Sequence, residues 1–187
     1  MINLFNKKYV LLATVAILII FGAGFYLFKK ESPDPVALYA ELLEGKGAGE
    51  NISAEKRKKL FDKVIEGLEQ QSNKSSEDMS LKLQLATAYY SNRYLEKSEK
   101  TLKDILAQNP ENASLYVSVG NVLQEQGKYQ EAVSFYDLAK QKDSHLISAY
   151  INLYLVIKNN LNDQARAQKI LLEAKVANPG NEELNSL

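Results

Sequence analysis

Residues 113–141 read ASLYVSVGNVLQEQGKYQEAVSFYDLAKQ, a stretch in which apolar residues recur every three to four positions on either side of Gly127. This spacing predicts two amphipathic helices joined by a short turn. Gly120 and Ala132 are small residues at the places where the two helices of such a hairpin would touch. The stretch therefore predicts one helical hairpin, with larger residues filling the space around the close contact.

The same hairpin recurs in phase at a period of 34 residues, with one extra residue late in the third copy. The repeating apolar positions are Leu85, Tyr89 and Leu102, then Val119, Leu123 and Tyr136, then Leu153, Ile157 and Leu171. Turn signals follow the same spacing at Asn109-Pro110, Asp143-Ser144 and Asn178-Pro179. A fixed period of this length is typical of a stacked array of hairpins. We predict an all-α solenoid with helix pairs at 79–92 and 95–108, 113–126 and 129–142, and 147–160 and 163–177.

The middle copy carries a recognisable signature, which consists of Tyr116, Val119-Gly120, Leu123, Gly127, Tyr129, Ala132, Tyr136 and Ala139. This pattern resembles the tetratricopeptide repeat (TPR). The resemblance covers about residues 79–187, as copies at 79–112, 113–146 and 147–181 and a partial C-terminal helix at 182–187. The departure that matters most is Tyr154, which replaces the small residue expected beside Leu153; Ile105 also replaces a usual alanine. The third hairpin is then either splayed, or Tyr154 points into a neighbouring gap.

Residues 9–28 form a separate element, a run of 20 residues without a charge. A helix of this length spans ~30 Å, the thickness of a bilayer hydrocarbon core. Lys7-Lys8 and Lys29-Lys30 flank it, so we expect a single-pass transmembrane helix after a short tail at residues 1–8. The alternative is a cleaved secretory signal with Gly22-Ala23-Gly24 at its cleavage site. The flanking charges weakly favour a plasma (inner) membrane protein with its repeats on the extracytoplasmic side.

Residues 29–78 are interpreted as a linker and an N-terminal helical hairpin. The first helix would follow Pro35 and the second would run from Ser53 to about Gln71, with residues 72–78 as a polar linker. Together with the repeats, the hairpin makes the predicted fold an all-α helical-hairpin solenoid with one N-terminal transmembrane helix.

Charge and composition exclude several classes of function. The formal net charge is zero, and because four lysines precede the first acid, residues 31–187 carry about −4. A nucleic-acid partner is therefore not expected. The chain has no cysteine and one histidine, His145, which stands between two hairpins. We expect no metal, no cofactor and no catalytic residues, because neither a nucleophile–base pair nor a ligand set is visible.

The resemblance implies that the first helix of each hairpin lines a concave groove that binds a protein or peptide partner. Carried over residue by residue, the groove would present Leu83, Thr87, Tyr90 and Ser91 from the first hairpin; Val117, Ser118, Asn121, Gln124 and Glu125 from the second; and Ser148, Ile151, Asn152, Leu155 and Lys158 from the third. The basic residues with which some TPR domains clamp a carboxylate are missing, apart from Lys158.

These features predict a non-catalytic, membrane-anchored adaptor for protein–protein interaction. By analogy of layout it resembles bacterial assembly factors or chaperones for membrane or envelope complexes. The alternative is a scaffold that forms homo-oligomers through its C-terminal helix. Solenoid ends normally need a polar capping helix, and at most one or two helical turns are available here after the last full helix. Ile170, Leu171 or Val176 would therefore be partly exposed.

Overall fold

The computed structural model describes residues 54–75 and 78–187, all within the compact unit Glu50–Leu187. This part of the chain is entirely helical, with eight α-helices, one π-helical turn and no strand. The elements are α1 (Ala54–Lys74), α2 (Met79–Ser91), α3 (Leu95–Gln108), α4 (Ala113–Glu125), α5 (Tyr129–Lys142), α6 (Ile147–Leu155) with the π turn Val156–Asn160, α7 (Gln164–Ala177) and α8 (Glu182–Asn185). No helix in these ranges combines the length and the apolarity needed to cross a membrane.

Each helix packs against the next one in the chain, so α2–α3, α4–α5 and α6–α7 form three consecutive hairpins. The predicted all-α solenoid is confirmed for the described residues, and the helix limits agree with the predicted pairs to within one residue. The predicted transmembrane segment, residues 9–28, and the first helix of the N-terminal hairpin lie outside the described residues.

One boundary was wrong, because α1 continues through residues 72–74, which were assigned to a linker. Neither glycine nor proline lies between Leu68 and Asp78, so nothing in the backbone stops the helix where the sequence becomes polar. The last turn closes with a 3.0 Å hydrogen bond from the amide of Ser75 to the carbonyl oxygen of Gln71.

Helix α1 occupies the place of a second helix in the repeat. Leu68 precedes Leu102 by 34 residues and Val64 precedes Ser98 by 34, and all four side chains are buried. The repeat therefore extends one helix further toward the N-terminus than the signature residues indicated.

Hydrogen bonds from two tyrosines fasten α1 to the first hairpin. The hydroxyl of Tyr89 donates to Glu69 at 2.5 Å, and that of Tyr94 donates to Asp62 at 2.8 Å. Lys97 also reaches Glu69 at 3.1 Å. Since Tyr89 and Tyr94 belong to the end of α2 and the turn after it, these bonds hold α1 against the N-terminal side of the first hairpin.

The close contact predicted in the middle hairpin is present. A Cβ atom added to Gly120 would lie 2.5 Å from Cε1 of Tyr136, whose side chain is fully buried. In the third hairpin the large residue stands on the other helix, because Tyr154 occupies the position of Gly120 and Leu171 that of Tyr136. Tyr154 is nevertheless 4% exposed and belongs to the same apolar core as Leu171.

The turns inside the hairpins share one backbone conformation. Arg93, Gly127 and Asn162 all have φ between 55° and 77°, in the left-handed region. In the first two turns the amide three residues beyond the last helical residue closes a bond over five residues, from Tyr94 to Tyr89 and from Lys128 to Leu123, each at 2.9 Å. This is the Schellman arrangement of a helix C-terminus.

In the third hairpin the equivalent bond, from the amide of Asp163 to the carbonyl of Ile157, spans six residues at 3.0 Å. The π turn Val156–Asn160 overlaps this span, and the amide of Leu161 bonds back five residues to Val156 at 3.1 Å. A π turn accommodates one additional residue in a helix. The extra residue seen in the sequence is therefore absorbed here, and α7 keeps its packing.

The end of the array differs from the prediction. Ile170 and Leu171 are buried at 6% and 3% exposure, because the single turn α8 places Leu184, itself 1% exposed, in the same core. Asn181 starts this turn by accepting the amide of Leu184 at 3.0 Å. Val176 is exposed as expected.

Candidate functional site

The predicted groove residues lie on α2, on α4 and on α6 with its π turn. Val117 does not offer surface: it is 7% exposed, because it packs within the core that runs through the hairpins. Thr87, Glu125 and Ser148 are exposed, and most of the others are half-buried. These helices meet at two places, which we call the α2–α4 junction and the α4–α6 junction.

The α2–α4 junction contains an open pocket of about 140 Å³. Five predicted groove residues line it, together with four residues from the core. The lining residues are Leu83, Ala86, Thr87 and Tyr90 of α2, Ser98 and Leu102 of α3, and Ser118, Asn121 and Val122 of α4.

Three of the four hydroxyl groups that line this pocket, those of Thr87, Ser98 and Ser118, are already used as donors. Thr87 donates to the carbonyl of Leu83 at 2.8 Å, and Ser118 donates to that of Ser114 at 3.0 Å. Ser98 is fully buried and donates to the carbonyl of Ala86 at 2.8 Å. Because each hydroxyl proton is committed to a backbone oxygen, these three groups can offer only acceptor oxygens to a ligand.

The α4–α6 junction is closed by amide groups and one phenol. Nδ2 of Asn152 donates to Oδ1 of Asn121 at 2.9 Å. The hydroxyl of Tyr136 lies 2.8 Å from the same Oδ1 and 3.0 Å from Oε1 of Gln124. Since a phenol carries one proton, it donates to one of these oxygens at a time. Burial, followed by Tyr90 and Glu125, raises the pKa of Tyr136, so it remains a donor.

An ion pair bounds the α2–α4 junction at the ends of its helices. Arg93, in the turn after α2, pairs with Glu125 at the end of α4. Burial raises the pKa of the Tyr90 hydroxyl, and Glu125 raises it further while Arg93 acts in the opposite direction. Tyr90 is thus a neutral group at the edge of the pocket, near a negative charge.

The predicted groove residues of the third hairpin offer few side-chain groups to a ligand. Nζ of Lys158 donates to the hydroxyl of Tyr154 at 2.7 Å, so the one basic residue of the predicted groove is already held. Ile151 and Leu155 are half-buried against the core. Ser148 lies apart from the pocket and from the amide cluster.

Sequence reasoning missed three contributions. Tyr136 was interpreted as a core residue, yet its hydroxyl reaches Asn121; the signal was that a tyrosine opposite Gly120 is long enough to cross the hairpin. Ser98 and Leu102 line the pocket, although neither was among the predicted groove residues. Arg93 could have been found by alignment with Gly127, since it replaces a glycine in a turn.

No group of three or more potential metal-ligating side chains occurs among the described residues. His145 lies in the turn before α6, as its place in the sequence suggested, and its Nδ1 is 2.8 Å from the carbonyl oxygen of Ala177. It therefore takes part in packing the end of α7 against the preceding turn.

No protein-family model matches the chain. Protein O-mannosyl-transferase Tmtc3 of Drosophila melanogaster is 35% identical over 71 residues, which are 38% of this chain and 8% of that protein. The matched residues therefore span only a small part of Tmtc3.

Several solved structures share the fold. YrrB, described as a TPR protein with an unusual peptide-binding site, matches at TM-score 0.58 and 17% identity over 81% of this chain and 80% of its own. MamA matches at TM-score 0.57 and 17% identity over 72% of this chain and 80% of its own. TTC0263, a thermophilic TPR protein of Thermus thermophilus, matches at TM-score 0.56 and 15% identity over 81% of this chain and 76% of its own. The described hairpins thus have the tetratricopeptide-repeat fold that the sequence predicted.

Proposed function

We propose that this chain is a non-catalytic adaptor that binds a segment of a partner protein along α2, α4 and α6. The observation that carries the proposal is the continuity of the open α2–α4 pocket with the amide cluster around Asn121, since Asn121 belongs to both. An extended polypeptide needs apolar contacts for its side chains and hydrogen-bond partners for its backbone. These two junctions offer both within one surface.

The pairing of the charged residues near the groove favours an uncharged partner segment. Arg93 is paired with Glu125, and Lys158 with a tyrosine hydroxyl, so none of these cations is left to clamp a terminal carboxylate. The amides of Asn121 and Gln124 can pair with backbone groups of a bound extended segment irrespective of its sequence. Affinity for the partner segment would then come from the burial of its apolar side chains, and hydrogen bonds to the amides would set its register along the groove.

Photocrosslinking tests this proposal. A photoreactive amino acid in place of Asn121 in the full chain should capture a protein from solubilised membranes. The same group in place of Ser134, which is exposed on the second helix α5, should not. A bulky substitution in the groove, Thr87→Trp, should reduce capture from Asn121. Capture that is equal at both positions, or unchanged by Thr87→Trp, would refute binding at this surface.

As part of the same proposal, residues 9–28 hold the adaptor in a plasma (inner) membrane with the repeats on the extracytoplasmic side. The uncharged 20-residue run and its flanking lysines support this arrangement. In that position the adaptor would serve as an assembly factor or chaperone for a membrane or envelope complex. Intact-mass measurement of the membrane-bound protein tests the anchor, because loss of the first ~24 residues would identify a cleaved signal instead.

A second candidate function is self-association as a scaffold. Leu172 and Val176, one turn apart on α7, are 63% and 75% exposed, and apolar side chains at this spacing form one stripe. Leu172→Glu combined with Val176→Glu should convert an oligomer to a monomer in sedimentation experiments. A wild-type chain that is monomeric at high concentration would rule this function out.

A further inference from the structure

The two junctions are built from equivalent positions of the repeat, yet only one of them has the pocket described above. Leu102 borders the α2–α4 pocket, and Tyr136 stands 34 residues later. In the same way Thr87 is replaced by Asn121, and Ser118 by Asn152. At the α4–α6 junction the two amides bond to each other and the phenol joins them. The α2–α4 pocket is therefore the space that shorter side chains leave unfilled.

The size of this space indicates which side chain would fill it. A cavity of about 150 Å³ with apolar walls is large enough to hold a benzene molecule, and the α2–α4 pocket measures about 140 Å³. One branched aliphatic or phenyl group fits this volume. An indole group is larger, and a methyl group would leave most of the pocket empty.

The walls select an uncharged occupant. No charged side chain lines the pocket, and Leu83, Ala86, Leu102 and Val122 provide apolar surface. The hydroxyls of its two serines and its threonine are committed as donors and would face a carboxylate with oxygen lone pairs only. The remaining donors in the lining are the neutral Tyr90 hydroxyl and the Asn121 amide, so a carboxylate would enter without a cationic partner. An ammonium group would lose its hydration without gaining an anionic partner inside the pocket.

We propose that the α2–α4 pocket is an anchor site for one uncharged apolar side chain of the bound polypeptide, of leucine or phenylalanine size. The inference rests on the proposed function, and it adds the residue class that the partner must carry. The neighbouring amides of Asn121 and Gln124 then lie beside the backbone of the anchored residue. The α4–α6 junction, already filled by its own side chains, provides no second anchor.

Photolabelling with a defined probe tests the anchor. The full chain in lipid nanodiscs is irradiated with N-acetyl-photoleucinamide, a diazirine analogue of leucine, and the labelled residues are mapped by mass spectrometry. Label should concentrate on α2 and α4 around Leu83, Thr87 and Ser118. An excess of N-acetyl-leucinamide or N-acetyl-phenylalaninamide should reduce it about tenfold, whereas the aspartate and lysine analogues should not.

Two double variants place the side chains of the α4–α6 junction at the equivalent positions of the α2–α4 junction. Thr87→Asn with Ser118→Asn should form the amide bridge seen between Asn121 and Asn152, and should reduce labelling about tenfold. Ala86→Gly with Leu102→Tyr should have the same effect by placing a phenol in the pocket. Ser134→Asn, on the exposed part of α5, is the matched control and should label as the wild type does.

Label spread evenly over the chain, label unchanged in both double variants, or equal competition by the aspartate analogue would overturn the anchor site. These outcomes are separate from those of the partner-capture experiment. If Asn121 captures a partner while the pocket remains unlabelled, the groove proposal stands and the anchor falls. If the pocket is labelled specifically but capture fails, the apolar site stands and the partner proposal falls.

Discussion

The α2–α4 and α4–α6 junctions share one backbone plan and differ in what their side chains leave open. At the first, Leu102, Thr87 and Ser118 surround a pocket. At the second, a phenol and two amides stand at the equivalent positions and bond to one another. The difference shows how a repeat protein can make one binding position distinct while the hairpins stack in the same way throughout.

Ion pairs also link consecutive hairpins, away from the two junctions. Glu99 on α3 accepts from Lys103 of the same helix at 2.5 Å and from Lys128, in the turn before α5, at 3.1 Å. Lys140 on α5 reaches Glu173 on α7 at 2.9 Å. The Glu99–Lys128 pair thus links the first hairpin to the second, and the Lys140–Glu173 pair links the second to the third.

The largest effect is expected from Gly120→Ala. The added Cβ would meet the ring of Tyr136 at 2.5 Å, and the ring cannot move freely because it is fully buried. Overpacking of this kind should lower the free energy of unfolding by about 3 kcal/mol, at the upper end of its usual range. Urea unfolding followed by circular dichroism measures the change.

Adding Tyr136→Leu to Gly120→Ala provides the decisive control, because it recreates the Ala86 and Leu102 combination of the first hairpin. The double variant should recover most of the loss. A double variant as unstable as the sum of the single changes would show that the two residues do not interact across the hairpin.

The next largest effect is expected from Glu99→Gln. Burial raises the pKa of the Glu99 carboxyl, but hydrogen bonds from Lys103 and Lys128 outweigh it and hold the pKa at about 2. The ionised form therefore stabilises the fold fully above the ordinary value of 4.5, and this contribution is lost as pH falls toward about 2. The variant should be about 1.5 kcal/mol less stable at neutral pH.

Unfolding free energies of wild type and Glu99→Gln should converge as the pH is lowered through this range, since protonated Glu99 resembles glutamine. Glu111→Gln is the comparison, because the Glu111 side chain is 83% exposed in its pair with Lys142, and it should change stability by less than about 0.5 kcal/mol. A constant difference between wild type and Glu99→Gln at all pH values would contradict the assigned pKa.

Tyr136→Phe tests the closed junction with a smaller expected change. The variant keeps the ring against Gly120 and removes only the donor to Asn121 and Gln124. The loss should be about 1 kcal/mol, and it should be coupled to that of Asn152→Ala because both donors share one oxygen. Tyr116→Phe, which removes a more exposed bond to the carbonyl of Pro110, should cost less. Purely additive effects of Tyr136→Phe and Asn152→Ala would argue against the shared acceptor.

The smallest effect is expected from Arg93→Gly. Arg93 has a φ of 64°, which costs a non-glycine residue roughly 1 kcal/mol, and its exposed pair with Glu125 contributes about 0–1 kcal/mol. The two contributions should nearly cancel and leave the unfolding free energy within about 0.5 kcal/mol of the wild-type value. Measured at high salt, where the ion pair is screened, the variant should be the more stable of the two; a large loss at both salt concentrations would mean that Arg93 has a further structural role.

The sequence was sufficient to predict the hairpins and their phase, because the period of apolar residues is a property of the chain itself. It also located the extra residue in the third copy, although not the π turn that absorbs it, since several backbone adjustments could do so. Of the predicted groove residues, Asn121 and Ser118 line the pocket, while Val117 is buried. The residues that bury Val117 could not be located from the periodic pattern.

What the sequence determined by itself was local: where the helices of the three repeats begin and end, which side of each is apolar, and which positions must be small for two helices to touch. Only the tertiary structure decided which of two equivalent junctions is open. That outcome depends on whether side chains far apart in sequence, such as Tyr136 and Asn152, come within hydrogen-bonding distance of the same oxygen of Asn121. Such distances are set by the stacking of whole hairpins, and no periodic pattern records them.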